Sequence, residues 1–583
     1  MKNIITSLLI AGIVITLGSC SDYLEKPPSV AVTEDTVFAN IIRAETFLWT
    51  TYYQGLPFGF PTDWSWAYSR IYESLTESIT ENGDTGQDFA GCNFYNTGSI
   101  SPSTSGSILE DKYEIHWGSI RNSIYFMNRI GKVPDGDAAY KAMLKAEARM
   151  IVAVNYYEMF KRYGGIQWVN REYKLSDDFY LERLSVAQTV DSIDHQIELL
   201  LPDLPAVRTN TTEYGRLTRA SALFLRARLY HTAASPLFNT GTPYMDFPGH
   251  NDLICYGNYD VSRWQNSADA SKVAIDFCAA NGMVLVNTGN PVLDYRTATR
   301  DVIGNTELVF FTRTKYSTGY DYNRGNGFIN FLQLPNISTL GGGNNCTLPT
   351  QNLVDKYEMQ ATGKAQSDPT SGFDPTNPYV GLDPRFYATI CEHLSKWNGV
   401  VTQQWNNRDG VNYGTGRSNL TMQHTGYFLR KFMFEDTWVC DHIWPYMRLA
   451  DLYLMYAESL NEAQGPQPDC YTYLNLVRNR AGMPSIPTGK TKDELREIIL
   501  HEREIELVFE DINFLDFRRT LRGPERYGND VYGADIRKNL VTGEFTYGRE
   551  KLESRVWKNN WYLDPFPQYE INKRQGLVQN PGW

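Results

Sequence analysis

The chain has 583 residues, well beyond the ~100–200 of one ordinary domain, so it forms either several domains or one large helical array with insertions. Charged residues make up 21% and hydrophobic residues 42%, a globular composition able to fill a sizeable core. With a formal net charge of −12, nothing in the composition points to nucleic-acid binding, which needs a basic face, and no nucleic-acid partner is expected.

At the start, Lys2 is followed by an apolar run, Ile4 to Leu17, and then by Gly18-Ser19-Cys20. A charged start, a short apolar stretch and small residues at the cut describe a secretory signal over residues 1–19. The run is too short for the ~20 residues of a membrane span. Leu17-Gly18-Ser19-Cys20 resembles a bacterial lipobox, which implies lipidation of Cys20 and membrane attachment through the acyl chains. The competing reading is an ordinary cleavage site that happens to lie beside a cysteine. Residues 20–30, with Pro27-Pro28, read as a polar tether. The other seven cysteines are odd in number and show no C-x-x-C spacing, so neither a zinc site nor a regular disulfide framework is indicated. No metal and no cofactor are expected.

Helical periodicity dominates residues 31–281. Helices are expected over Ala44 to Tyr53, over Leu109 to Ile130 with Trp117, Ile120, Ile124 and Met127 on one stripe, and over Ala138 to Tyr163, which stops at Gly164-Gly165. Val186 to Leu204 and Leu217 to Ala234 form the next pair. In the second, Ala220, Leu223, Phe224, Ala227 and Tyr230 carry the small-and-aromatic spacing of a tetratricopeptide helix. Trp264 to Asn281 follows. In residues 282–445 the helical period fades into Gly, Asn, Thr and Pro, with GGGNN at 341–345. A structureless loop of that length is foreign to a compact domain, so a second, irregular subdomain of short strands and loops is expected. Residues 55–107 have the same character.

Those two irregular stretches are dense in aromatic and polar side chains. The first holds Trp64, Trp66, Tyr68, Asp88, Tyr95 and Asn96; the second holds Tyr316, Tyr320, Tyr322, Arg324, Asn326, Trp397 and Trp405. Loops on a rigid scaffold are where binding residues concentrate. A pyranose offers C–H faces that pack on Trp and Tyr rings, and hydroxyls that want Asn, Asp or Arg partners. These thirteen residues are therefore the candidate saccharide contacts. The alternative for each ring is that it simply packs its loop onto the helices.

Residues 446–583 return to strong periodicity. Leu449, Leu452, Tyr453, Tyr456 and Leu460 make one apolar stripe, ended by Gly465-Pro466. A second helix carries Tyr473, Leu474 and Val477. A third opens at Thr491, with Glu494 placed for a capping box. Glu502, Arg503, Glu504 and Glu506 crowd two helical turns, and ion pairing between packed helices explains them better than an acid cluster for catalysis.

This stretch resembles the C-terminal signature of the SusD/RagB family. The matching residues are Arg448-Leu449-Ala450-Asp451, Tyr456-Ala457-Glu458, Asn461-Glu462, Asn475, Arg478, Arg480-Ala481-Gly482, Arg503 to Glu510, Leu515-Asp516 and Arg518-Arg519. The tail, with Pro567, Glu570, Ile571, Asn572 and Gln579-Asn580-Pro581-Gly582, is similar to the family's closing pattern. The W-x-x-I-x-N form at Trp117 to Asn122 and the mature start SDYLEKPPS fit as well. The family often has Arg after the Phe-Glu pair, where this chain reads Asp511-Ile512-Asn513, which puts one buried ion pair in doubt.

The resemblance implies a mainly α fold, a tetratricopeptide-like array of about four helical hairpins with a large irregular loop and short-strand subdomain. It also implies a non-catalytic lipoprotein on the outer-membrane surface that captures an oligosaccharide or polysaccharide and delivers it to a SusC-like TonB-dependent barrel. Two alternatives stay open: peptide binding, as in RagB-like members, and a surface glycosidase. Catalytic motifs are missing from the sequence. It has no G-x-S-x-G elbow and no phosphate-binding loop, and Ile505 stands where H-E-x-x-H would need its second histidine after His501-Glu502.

Overall fold

A computed structural model describes residues 34–56, 59–60, 74–86, 91–104, 113–314, 345–405, 425–435 and 442–583. The frame begins with α1 (Ile41–Gly55), α2 (Tyr113–Arg129), α3 (Ala138–Tyr163), α4 (Val186–Leu200), α5 (Arg219–Ala234) and α6 (Val261–Ala280). Helix α1 packs on α2, α2 on α3, α3 on α4 and α5 on α6, with the smaller α4–α5 contact joining the pairs. The chain then leaves through α7 (Pro291–Arg300), and comes back as α8 (Leu449–Gln464), α9 (Pro468–Arg480) and α10 (Lys492–Glu506). Helix α8 lies against α6 on one side and against α9 and α10 on the other, so the C-terminal helices extend the array begun by the N-terminal ones. The expected mainly α, tetratricopeptide-like architecture is the observed one.

Local chemistry sets the helix boundaries. Asp137 caps α3 by accepting from Tyr140 N–H at 2.6 Å. Ser185 with Gln188, Thr218 with Ser221 and Thr491 with Glu494 form capping boxes that satisfy the first backbone donors of α4, α5 and α10. The end of α3 needs glycine for want of space: Gly165 N–H donates to Leu253 O at 2.7 Å, and a Cβ there would sit 2.0 Å from Leu184 O.

Helix α8 differs from its expected single stripe. From Leu449 through Glu462 every side chain is buried. A helix walled in on all sides must neutralise its charges internally. Asp451 does so with Arg228 at 2.7 Å and Arg503 at 3.0 Å, and Glu458 with Arg519 at 2.6 Å.

Residues 282–445 are less irregular than expected. Besides α7 they supply β1 (Leu308–Thr314), which pairs antiparallel with β2 (His442–Arg448). Several two-residue strands and one-turn helices complete the described part. One hydrophobic core joins this region to the array, with Leu353, Phe386, Trp397 and Trp444 in the same cluster as Val154, Leu225 and Leu454. Past α10 and α11 (Asn513–Arg519), the C-terminal region read as a helical signature region also contains a long antiparallel ribbon, β3 (Asp530–Lys538) with β4 (Phe545–Ser554). Gly543 at φ 79° helps close its turn, where Gly543 N–H donates to Asn539 O at 2.7 Å.

Candidate functional site

The densest constellation of ionisable groups is a buried seam where α8, α9 and α10 meet the residues around Glu307 and Arg385. Arg448 reaches Glu506 at 2.5 Å, Glu510 at 2.7 Å and Glu307 at 3.2 Å. Arg480 pairs with Glu307 at 2.9 Å and also with Glu506. Arg385 joins Asp383 at 2.7 Å, Glu502 at 2.5 Å and Glu506 at 2.9 Å, and Arg478 closes on Glu502 at 2.8 Å. All of these groups are shut away from water; only Glu358, the outer partner of Arg478, is not. Burial alone would raise the Glu506 carboxyl, but the guanidinium groups of Arg480, Arg448 and Arg385 hold it well below the usual carboxylate range. Glu502 is likewise held low by Arg385 and Arg478 against the push of burial. A general acid needs the opposite shift and an approach for substrate. The seam is therefore structural, as its sequence implied.

Asn513, within the departure at 511–513, reaches a buried carboxylate. Glu77 is fully buried, and its carboxylate accepts from Asn82 Nδ2 at 2.9 Å, Asn513 Nδ2 at 3.2 Å and Phe509 N–H at 3.1 Å. Its donors are amides and the Thr80 hydroxyl, and burial leaves its pKa raised despite those hydrogen bonds.

The thirteen candidate saccharide contacts divide into two groups. Trp64, Trp66, Tyr68, Asp88, Tyr316, Tyr320, Tyr322, Arg324 and Asn326 lie outside the described residues, as does Cys20. The four that are described are all buried, which corrects their reading as open ligand platforms. Tyr95 and Asn96 sit on the short helix Cys92–Asn96; the Tyr95 ring meets Phe514 and Trp561 edge-on, and Asn96 Nδ2 donates to Ser78 O at 3.2 Å. Trp397 is 1% exposed and Trp405 8%. Arg430 lies over the Trp397 ring and Lys538 over the Trp405 ring, at 5.9 and 5.8 Å from the ring centres. These side chains pack their loops onto the frame, the rings burying large apolar area as they do so.

The residues flanking the undescribed aromatic segments come together. Ser74 Oγ donates to Cys346 O at 2.7 Å, Leu75 N–H to Thr347 Oγ1 at 3.0 Å, and Gly86 N–H to Asn345 O at 2.9 Å. Thus residues 74, 86 and 345, which border segments 61–73, 87–90 and 315–344, are neighbours. On the other flank, Phe60 packs edge-on against Phe432 and Trp444 at 5.2 and 5.0 Å, while Thr314 pairs with His442 at the end of the β1–β2 ladder. Sequence reasoning had not singled out Phe60, Phe432 or Trp444; a Phe or Trp just outside a Gly-rich stretch is the signal that marks such anchors.

Comparison with known proteins agrees with this architecture. Residues 306–583 match the SusD family model. SusD-like protein P2 of Formosa agariphila is 33% identical over 145 residues, 24% of this chain, and the match spans about a quarter (25%) of that relative's own length. The whole fold is similar to a crystal structure of a SusD-like protein from Bacteroides fragilis, with a TM-score of 0.74 at 23% identity, covering 96% of this chain and 100% of that one. A SusD-like carbohydrate binding protein from the same species superposes with a TM-score of 0.71 at 20% identity, covering 92% of this chain and 99% of that one. The signature residues of α8 to α11 lie in the stretch that matches the SusD family model, and the fold is similar over nearly the full length to those of SusD-like proteins.

Proposed function

We propose that the protein is a non-catalytic glycan-binding lipoprotein of the outer-membrane surface, anchored through Cys20, which captures an oligosaccharide or polysaccharide and passes it to a SusC-like TonB-dependent barrel. The observation that carries this reading is the meeting of residues 74, 86 and 345 on the helical frame, because these positions flank the two runs dense in Trp, Tyr, Asn and Asp. The carbohydrate binding protein from Bacteroides fragilis, which has the same fold, supports the ligand class. The nine undescribed residues, from Trp64 to Asn326, are the proposed contacts. Tethering donor and transporter to one membrane raises the effective ligand concentration at the barrel's mouth without requiring a tight complex.

Calorimetric titration of the full chain against mucin-type, starch-type and plant-cell-wall oligosaccharides tests this. One glycan class should bind, and Trp64→Ala and Trp66→Ala should each weaken it about tenfold or more. Binding of peptides in place of glycans, or release of new reducing ends from a bound glycan, would replace this reading with a peptide receptor or a glycosidase.

A further inference from the structure

Leu175 is completely exposed, and the loop that carries it is ordered by its own contacts. The base of the loop is fixed to the frame: Val169 N–H donates to Tyr156 Oη at 2.7 Å, and Leu181 N–H to Gln575 O at 3.0 Å. The tip is a single turn. Asp177 N–H donates to Lys174 O at 2.9 Å, Lys174 N–H donates to Asp177 Oδ2 at 3.0 Å, and Arg171 pairs with the same carboxylate at 2.6 Å. The Tyr173 and Phe179 rings stack at 5.7 Å, and the Arg171 guanidinium lies 3.9 Å from the Tyr173 ring centre. Phe179 and Tyr180 are exposed as well. Single apolar side chains on a surface are ordinary; three on one braced loop are a small apolar patch.

The loop lies where the described chain begins. Arg129, the last residue of α2, pairs with Glu34 at 2.8 Å and with Glu172 at 2.5 Å, so one guanidinium joins the first described residue to this loop. Leu175 is three residues past Glu172, no more than about 11 Å along the chain. The 13 residues between Cys20 and Glu34 can span at most about 50 Å. A chain of this size folds to a body roughly 60 Å across. An acyl anchor on Cys20 therefore favours this end of the molecule as the one that meets the bilayer.

We propose that the loop over residues 171–180 is a lipid-contacting knob: Leu175 enters the interfacial layer of the outer leaflet, with Phe179 and Tyr180 at headgroup level, where amphipathic rings are favoured. The size of the patch fits lipid better than protein. Three side chains offer a few hundred Å², well short of the ~1,000 Å² that a stable protein interface buries. A body already held at the membrane needs no more, because the anchor makes the second contact effectively intramolecular. Charge contributes little: Arg171 and Lys174 balance Asp177 and Asp178, and Glu172 is matched by Arg129. The contact is therefore apolar and should be insensitive to salt. The anchor alone leaves the body free to turn, and this second contact limits that rotation. The proposal rests on the anchoring through Cys20 and not on the glycan site.

The test is collision-accessibility EPR of the acylated full chain on vesicles of phosphatidylethanolamine and phosphatidylglycerol. Leu175→Cys carries an apolar nitroxide label in a Cys440→Ser background, the six described thiols being buried. On vesicles, collisions of the label with a water-soluble nickel chelate should fall several-fold and collisions with oxygen should rise, relative to the same labelled chain with Cys20→Ala free in solution. A label equally open to water on and off the vesicles, shielding that disappears in high salt, or shielding that arises only when the SusC-like barrel is added would each overturn the proposal, the last in favour of a protein partner. The mass of the N-terminal peptide reports acylation separately, so a chain without acyl groups would overturn the proposal at the anchor and not at the knob.

Discussion

Glu506 concentrates the chemistry of this fold in one carboxylate. It faces Arg448, Arg480 and Arg385 at once and is fully buried. Removing one member of a buried charge network leaves the others uncompensated, so Glu506→Gln should cost about 3–5 kcal/mol, read from the urea unfolding midpoint. A shift of under half that would mean the seam is more hydrated than its burial indicates. The same logic gives the acid limit. Burial raises Glu504 and Asp451, but Lys356 and Arg526 bring the first down to about 2, and Arg228 and Arg503 bring the second to about 2. Both are therefore depressed below their unfolded values, so their contribution is full above the unfolded pKa and lost as pH falls through the folded one. The contribution of these two carboxylates should hold down to roughly pH 5 and then drop steeply towards pH 2, by on the order of 2 kcal/mol for each group. His393, pushed down to about 4 chiefly by burial with Lys538 nearby, begins the loss earlier, since the unfolded imidazole takes its proton near its ordinary value. Thermal midpoints across an acid pH series check the sign: a midpoint that rises on acidification contradicts the pairing.

At the level of single elements, capping chemistry was the most legible signal in the chain. Thr491 and Glu494 form both reciprocal bonds of the capping box, at 3.3 and 2.8 Å. Thr491→Ala should cost about 1 kcal/mol by freeing the first donors of α10, a loss that Thr491→Ser should largely restore. The long helix Ala138–Tyr163 could be read from its apolar period and its stop at Gly164-Gly165, and the structure adds Asp137 as the cap of its first turn. The ribbon β3–β4 could not. Its second strand alternates only weakly between half-buried and exposed positions, and its turn tip carries Leu540 and Val541, 71% and 95% exposed, where turn residues would ordinarily be polar. Helix α7 was also hidden: ten residues capped by Asn290 and opened by Pro291 offer too few turns for a period to stand out from the loop composition around them. Aromatic side chains were the least legible of all. Trp397 and Tyr95 have the same composition of neighbours as a ligand platform, and only the third dimension reveals Phe514, Trp561 and Arg430 against their rings.

For the whole molecule, the family signature and the folding unit have different limits. The matched stretch begins at residue 306, which suggests a separable C-terminal half. The contacts contradict that division. Asp451 on α8 is neutralised by Arg228 on α5, Glu458 Oε2 accepts from His231 Nε2 at 3.0 Å, and the Tyr446 hydroxyl donates to Glu158 on α3. Arg519 Nη1 donates further to Ser235 Oγ at 3.0 Å, and Ser459 Oγ meets Ser267 Oγ of α6 at 2.7 Å. Cutting the chain at 306 would bare the α6-facing side of α8 and strand two carboxylates that have part of their positive charge or hydrogen bonding on the other piece. A fragment of residues 306–583 should therefore fail to give a cooperative unfolding transition or dispersed amide resonances, and should recover both when mixed with residues 34–305. Independent cooperative folding of the C-terminal piece would show that α8 to α11 with their own seam suffice, and that the pairs reaching across to α3, α5 and α6 fasten one folded body to another instead of completing a single core.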